Sequence, residues 1–562
     1  MASETSHERR RRLTHRALPV LALVALGALG IGLAMGSGRD SGAERVGRSF
    51  ATAWQRSDYR RMHSLLTAAA QKRYPLAVFR RAYEQAAATA TATAVLPGKV
   101  RGAGSGAVRI PVVVRTTVFG NVRATLKLPV AGGAVDWSPE LAFPGVVRGE
   151  QLVRKSDAPP RGTIVSVDNK VLAQGPAAAR TSPLGGLASS IAGTLEPGQD
   201  AASRMAVYAR GFAPGTPVGK TGLERALEGE VQGRPGGTLL AGRRVVARAR
   251  PRPAGRVRST IDTRLQQSAV TALGGQLGGV AALDPRTGSV RALAGIAFSA
   301  PQPPGSTFKI VTATAALDAG LVKPTDKFSV KTKAVIDGVD LENANGESCG
   351  GTFAESFAHS CNSVFAPLGI KVGPKRLVAT AEKFGWNENP GLPGAQPSTL
   401  PAAGGIKSPL EIGSASIGQF TVLATPLQMA SVAQTIANGG VRLRPTLATR
   451  DAKMPVRVTS PKVAGIVENL MLGVVRYGTG TAAQIPGVKV AGKTGTAELG
   501  DTRGQDAPGA GGDPSNTDAW FTSYAPADSP RIVVAVLLVR NGSGGATAAP
   551  VARQVLGTAL GK

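Results

Sequence analysis

The spacing of apolar positions changes several times along the chain, and each change marks a different kind of element. Residues 17–36 form an uncharged apolar run behind a basic cluster, Arg9 to Arg12 with Arg16. A helix of roughly 20 such residues crosses a bilayer, with its positive flank on the cytoplasmic side. The run is therefore expected to be a single transmembrane signal-anchor, with residues 1–16 as a cytoplasmic tail and the bulk of the chain extracytoplasmic. A cleaved signal peptide is the rival reading, because Ala34-Met35-Gly36 places small residues near its end. From Glu44 the period becomes helical: Val46, Phe50 and Trp54 recur every four residues. The stretch 59–66 continues that helix, and the Ala- and Thr-rich residues 86–94 read as a helix end or a linker. Two β-rich runs, 107–119 and 122–130, predict a hairpin turning at Gly120-Asn121. Together these make a small α+β domain over 40–150.

Residues 151–258 are rich in Pro and Gly, carry only short strands, and read as an extended module. From Ser259 the pattern is denser. Strands at 280–283 and 290–293 flank the turn Asp284-Pro285-Arg286-Thr287-Gly288. Helical segments follow, then strands at 488–491, 520–524 and 532–539 and a closing helix at 550–560. Strands at both ends with helices between predict one α/β domain, 259–562, whose sheet is completed by its C-terminus.

Composition narrows the function. A chain of 562 residues exceeds a single core and implies several domains. Its formal net charge of +30 suits an anionic partner, such as a membrane surface, a wall polymer or nucleic acid. Aromatic residues are only 4% and do not alternate with basic clusters, which excludes nucleic acid. Cys349 and Cys361 are the only cysteines. In an oxidising exterior they form a disulfide or stay as two inert thiols. No cysteine–histidine cluster exists for a metal.

Three short motifs carry the chemistry. The first, Ser306-Thr307-Phe308-Lys309, follows Pro303-Pro304-Gly305 and opens an apolar helical run. Residues three apart share a helix face, so Lys309 stands beside Ser306 and, with a lowered pKa, serves as its base. The second is Ser360-Cys361-Asn362, whose serine can relay a proton and whose asparagine can hold a substrate amide. The adjacent His359 is discounted as a partner of Ser360, since neighbouring residues on a regular element face different ways. The third is Lys493-Thr494-Gly495-Thr496, ending the strand at 488–491. Its cation and hydroxyl can bind a carboxylate, and its glycine would let a substrate backbone lie close. A second copy of the tripeptide, Lys220-Thr221-Gly222, lacks the leading strand and is read as structural. Each motif recurs by chance; the three in this order are the pattern of penicillin-binding proteins and serine β-lactamases.

On these residues the chain resembles the class B penicillin-binding proteins, monofunctional transpeptidases. Gly478-Thr479-Gly480-Thr481-Ala482, Ala519-Trp520-Phe521 and Ala424-Thr425-Pro426-Leu427-Gln428-Met429-Ala430 also match family stretches. Pro160-Arg161-Gly162-Thr163-Ile164 and Gly222-Leu223-Glu224 resemble the family's pedestal or dimerisation module. The segment closing with Asp136-Trp137-Ser138-Pro139 looks like the nuclear-transport-factor-like domain of MecA-type members. The resemblance implies an acyl-enzyme on Ser306, made from peptidoglycan stem peptides or β-lactam antibiotics, with Lys309 as base. It further implies an oxyanion hole at the N–H groups of Ser306 and Thr496, proton relay through Ser360, and a donor peptide held by Asn362. Lys493 and Thr494, with Gly495 and Thr496, would bind the terminal carboxylate end. No cofactor is implied; a membrane glycan polymerase is the implied partner. A disulfide between Cys349 and Cys361 would tie the second motif to an upstream loop, and residues 500–517 are expected to form a mobile loop at the cleft edge. The rivals are a D,D-carboxypeptidase or β-lactamase, and a β-lactam sensor or inactive scaffold. Glu388 is the acid weighed as a deacylating base, and its surroundings do not fit.

Overall fold

The computed structural model describes residues 41–104, 106–449, 455–499 and 514–562. The expected membrane span 17–36 and most of the loop 500–517 lie outside them. Among the described residues no helix is long and apolar enough to cross a membrane.

The first helix, Gly42–Gln55, starts at a capping box between Ser41 and Glu44 and buries Phe50 and Trp54. It does not continue into 59–66. The chain breaks at Ser57, whose φ is +55°, and Asp58 caps a separate helix, Tyr59–Ser64. The Ala- and Thr-rich stretch divides between the end of helix Leu76–Ala90 and the strand Ala92–Pro97. Strands Ala107–Thr116 and Gly120–Ala131 form the expected hairpin, but its turn is Thr117–Phe119, one step earlier than Gly120-Asn121. The Phe119 N–H donates to Thr116 Oγ1 (2.8 Å), and Gly120 rejoins the ladder at φ +67°, a conformation open to glycine. Phe79, Tyr83 and Trp137 close this core, with Trp137 Nε1 donating to Tyr83 Oη at 3.0 Å.

The segment 151–258 has no apolar core of its own. Leu239 and Ala241, from the sheet of Leu152–Asp157, Gly236–Ala241 and Arg244–Ala249, join the preceding core. Ile164, Leu223, Val231 and Val257 join the following one. Its polar centre is a buried ion cluster in which Arg161 and Arg180 both reach Glu224 at 2.6 Å.

The last part is built on a five-stranded antiparallel sheet: β1 (Gly278–Leu283), β2 (Val290–Gly295), β3 (Ala491–Glu498), β4 (Thr517–Ala525) and β5 (Ile532–Leu538). Its order is β2-β1-β5-β4-β3, so the C-terminal strands insert between the opening hairpin and the strand of the third motif. Helices Thr263–Leu273 and Ala549–Leu560 cover one face. Helix Pro426–Ala437 and the helical layer containing α1 (Lys309–Asp318), α2 (Phe353–Ala358) and α3 (Asn362–Val372) cover the other. The β1 and β5 strands are buried along their whole length, as sandwiched strands must be. The third motif does not follow its strand; it lies within it, because every residue from Ala491 to Glu498 pairs with β4. Ladder pairing overrides the weak strand propensity of Gly and Lys there.

Candidate active site

Pro304 leads into a single 3₁₀ turn, Gly305–Phe308, that runs directly into α1. The turn lies against β3: a Cβ on Gly305 would sit 2.6 Å from the Thr496 carbonyl oxygen. Ser306 and Lys309 therefore stand at the open edge of the sheet. Within a strand, a residue's N–H and C=O point to the same edge. The Thr496 N–H accordingly faces the nucleophile turn, from an edge that no other strand covers among the described residues.

Lys309 is fully buried, and its Nζ lies among four oxygens. They are Ser306 Oγ (2.9 Å), the Ser360 carbonyl (2.6 Å), Ser360 Oγ (3.2 Å) and Asn362 Oδ1 (2.6 Å). The Ser360 carbonyl and the Asn362 amide oxygen can only accept. They take two amine hydrogens, and a neutral amine then has its lone pair left for the Ser306 hydroxyl proton. Burial holds Lys309 well below its usual pKa, and the charge of Lys493 pushes the same way.

The second motif is set by the junction of α2 and α3. Ser360 adopts φ +61°, and in that left-handed conformation both its carbonyl and its hydroxyl reach Lys309. Cys361 caps α3 and is bonded to Cys349, with Cα atoms 5.5 Å apart. Asn362 Nδ2 donates to the Glu342 carbonyl at 2.6 Å, which fixes the side-chain amide with its oxygen toward Lys309. Asn343 supports this wall. Its Nδ2 donates to Lys331 O and Glu347 O, and its Oδ1 accepts from the Ser363 N–H. Nothing in the sequence pattern signals that role.

From β3, the fully buried Lys493 Nζ donates to Ser360 Oγ (2.9 Å) and to the Thr494 carbonyl (3.0 Å). Burial lowers its pKa to about 7. The Thr494 hydroxyl lies 2.5 Å from that of Thr479, the threonine of the Gly478-Thr479-Gly480 run. Gly495 serves a different end from the expected one. A Cβ there would meet the Pro304 carbonyl at 2.7 Å and Trp520 Cβ at 3.0 Å, so the glycine admits the nucleophile turn.

The structure thus brings Ser306, Lys309, Ser360, Asn362 and Lys493 into one hydrogen-bonded cluster, with Thr494, Gly495 and Thr496 on the strand beside it. The other residues weighed stand apart. His359 is exposed and faces Tyr477, their ring centres 6.4 Å apart. Lys220-Thr221-Gly222 opens the short helix Gly222–Ala226, with Lys220 paired to Glu196. Glu388 is clamped by Arg442 (2.6 Å) and Arg444. Burial alone would raise its pKa, yet the two guanidiniums hold it below the usual carboxylate value.

Residues 278–557 match the penicillin-binding protein transpeptidase domain. Peptidoglycan D,D-transpeptidase PbpA of Mycolicibacterium smegmatis is 34% identical over 408 residues, covering 60% of this chain and 79% of that protein. The D,D-transpeptidase domain of peptidoglycan glycosyltransferase from Eggerthella lenta superposes with a TM-score of 0.58 at 30% identity. That match covers 72% of this chain and 99% of the other. Penicillin-binding protein A from M. tuberculosis, solved as its penicillin G acyl-enzyme complex, gives a TM-score of 0.56 at 28% identity, over 72% of this chain and all of that one. This chain belongs to the class B penicillin-binding proteins, the family of monofunctional transpeptidases.

Proposed function

We propose that this protein cross-links peptidoglycan stem peptides as a serine D,D-transpeptidase, through an acyl-enzyme on Ser306. The carrying observation is the buried Lys309 amine, held against Ser306 Oγ while two carbonyl oxygens occupy its hydrogens. Ser306 Oγ attacks the carbonyl of the penultimate D-Ala, and its proton passes to Lys309 Nζ. The oxyanion develops between the N–H groups of Ser306 and Thr496, which act as preorganised donors. On collapse the C–N bond breaks, and the departing D-Ala nitrogen takes the proton from Lys309 through the Ser360 hydroxyl. Lys493 and Thr494 bind the terminal carboxylate, and Asn362 orients the donor amide. The amine of a neighbouring stem then attacks the ester, and its proton returns to Ser306 by the same route. A β-lactam acylates Ser306 in the same way and inhibits the enzyme. Clamped by two arginines, Glu388 is a poor deacylating base, which favours transfer over hydrolysis.

The finer architecture belongs to the same reading. Residues 17–36 anchor the chain in the cytoplasmic membrane with the enzyme outside, supported by the basic flank at Arg9 to Arg12. Residues 40–150 are a nuclear-transport-factor-like domain of the MecA type, supported by helices packed on the hairpin around Trp137. A membrane glycan polymerase supplies the strands to be joined. The reading is tested with a stem pentapeptide donor and an added amine acceptor, following D-Ala release and cross-linked product by mass spectrometry. Equal amounts of D-Ala and cross-link, both lost in Ser306→Ala, are expected. D-Ala release with only hydrolysed donor would make the protein a carboxypeptidase.

A further inference from the structure

Between Glu84 and Asp136 the chain holds six basic residues, Lys99, Arg101, Arg109, Arg115, Arg123 and Lys127, and no acidic one. Folding lines up three of them. Ile110, Val112 and Leu126 are buried in the core of the first domain, so the odd-numbered positions of both hairpin strands turn outward. Arg109 is directly opposite Lys127 on one side and, on the other, opposite Arg101 of the short strand Arg101–Gly102. All three are exposed. Adjacent strands set them in a row about 10 Å across. Like charges directly opposite one another destabilise a sheet. Among the described residues none of the three has an ion-pair partner. The fold carries this repulsion without internal relief, and an anion outside the chain would offset it.

The row's location says which anion. The Gly102 N–H donates to Glu44 Oε1 (2.7 Å), which places the row beside the first turn of helix Gly42–Gln55. Five residues, 37–41, separate that helix from the end of the expected anchor at 36, a span of at most about 18 Å. The other end of the hairpin faces the rest of the protein, where a Cβ on Gly211 would sit 2.5 Å from Val118 Cγ2. Thr116, at that end, is seven residues from Arg109, about 23 Å along the strand. The row thus lies at the end of the domain nearest the anchor and farthest from the segment that follows.

We propose that Arg101, Arg109 and Lys127 dock this domain on the anionic lipid headgroups of the membrane surface. The guanidiniums and the ammonium bind lipid phosphates, and docking fixes which face of the domain is turned to the bilayer. The inference rests on the anchoring proposed for residues 17–36. The test uses the full chain in lipid nanodiscs, with a fluorophore on Thr125→Cys, an exposed position of the same sheet face, and a quencher on the lipid headgroups. The native cysteines are bonded to each other and do not take the label. Strong quenching is expected in discs containing phosphatidylglycerol and little in discs of phosphatidylcholine alone. Arg101→Gln, Arg109→Gln and Lys127→Gln together should lower the docked-to-undocked ratio about 100-fold, near fivefold for each cation. With the repulsion removed, this triple variant should melt at or above the parent's temperature. Equal quenching in the two kinds of disc, none in either, or quenching unchanged in the triple variant would overturn the inference and leave the anchor intact. Binding of soluble polyglycerol phosphate through the row, with no response to phosphatidylglycerol, would assign the face to a wall polymer and overturn it as well. A chain that does not insert into the discs would overturn the anchoring and the inference with it.

Discussion

Replacing Lys493 by methionine removes a buried amine while keeping most of its volume. Lys493 is fully buried and has no carboxylate partner among the described residues, so its charge is opposed by desolvation alone. A pKa lowered from 10.5 to about 7 corresponds, at about 1.4 kcal/mol per pH unit, to ~5 kcal/mol against the folded state. Because the folded pKa lies below the unfolded one, the unfolded chain holds this proton more tightly. Stability therefore rises with pH between about 7 and 10.5; the penalty is complete below that window and absent above it. Lys493→Met should be more stable than the parent at pH 7, and its advantage should shrink by ~2 kcal/mol by pH 9. Calorimetry on both proteins across that range measures the difference, with the catalytic-domain transition identified as the one that penicillin shifts. A parent-to-variant difference that stays constant from pH 6.5 to 9 would refute the claim that Lys493 titrates in this window.

Lys309→Met should lower the rate of acylation by penicillin by about 10²- to 10⁴-fold, since the general base is lost, and a fall under tenfold in stopped-flow acylation would contradict its role. The parent's acylation should weaken as pH falls, because protonation removes the Lys309 lone pair; a flat pH–rate profile would count against this. Changing both Cys349 and Cys361 to Ser opens a loop closed across a separation of 12 residues, and should cost about 3 kcal/mol, seen as a Tm several degrees lower. Arg161→Met strips one of two guanidiniums from the buried Glu224 and should destabilise by about 3–5 kcal/mol; the double variant with Glu224→Leu should recover much of that loss.

The motifs were legible because their chemistry is local. Ser306 and Lys309 needed only helical spacing to meet, and a helical run was visible in the sequence. What escaped the sequence was set at long range. Ser360 reaches both lysines only because its backbone turns left-handed between α2 and α3, a choice no serine announces. Gly495 looked like an opening for substrate but is filled by the Pro304 turn, a contact between residues almost 200 positions apart. The third motif looked like a strand's end because Lys and Gly are poor strand formers, yet pairing with β4 holds it in the ladder. The hairpin turn was missed by one step because Gly120 signals the bend while Thr116 Oγ1 sets its start. The segment 151–258 looked loosely built for a physical reason: its apolar residues are divided between the cores on either side.

The central claim is that Ser306 forms a long-lived acyl-enzyme. It is tested most directly by incubating residues 39–562 with a fluorescent penicillin and following the covalent label for hours beside Ser306→Ala. A label that persists on the parent and is absent from a folded Ser306→Ala protein is the expected result. A label that vanishes within minutes would mark a hydrolase, and a label retained by Ser306→Ala would place the nucleophile elsewhere and contradict the account.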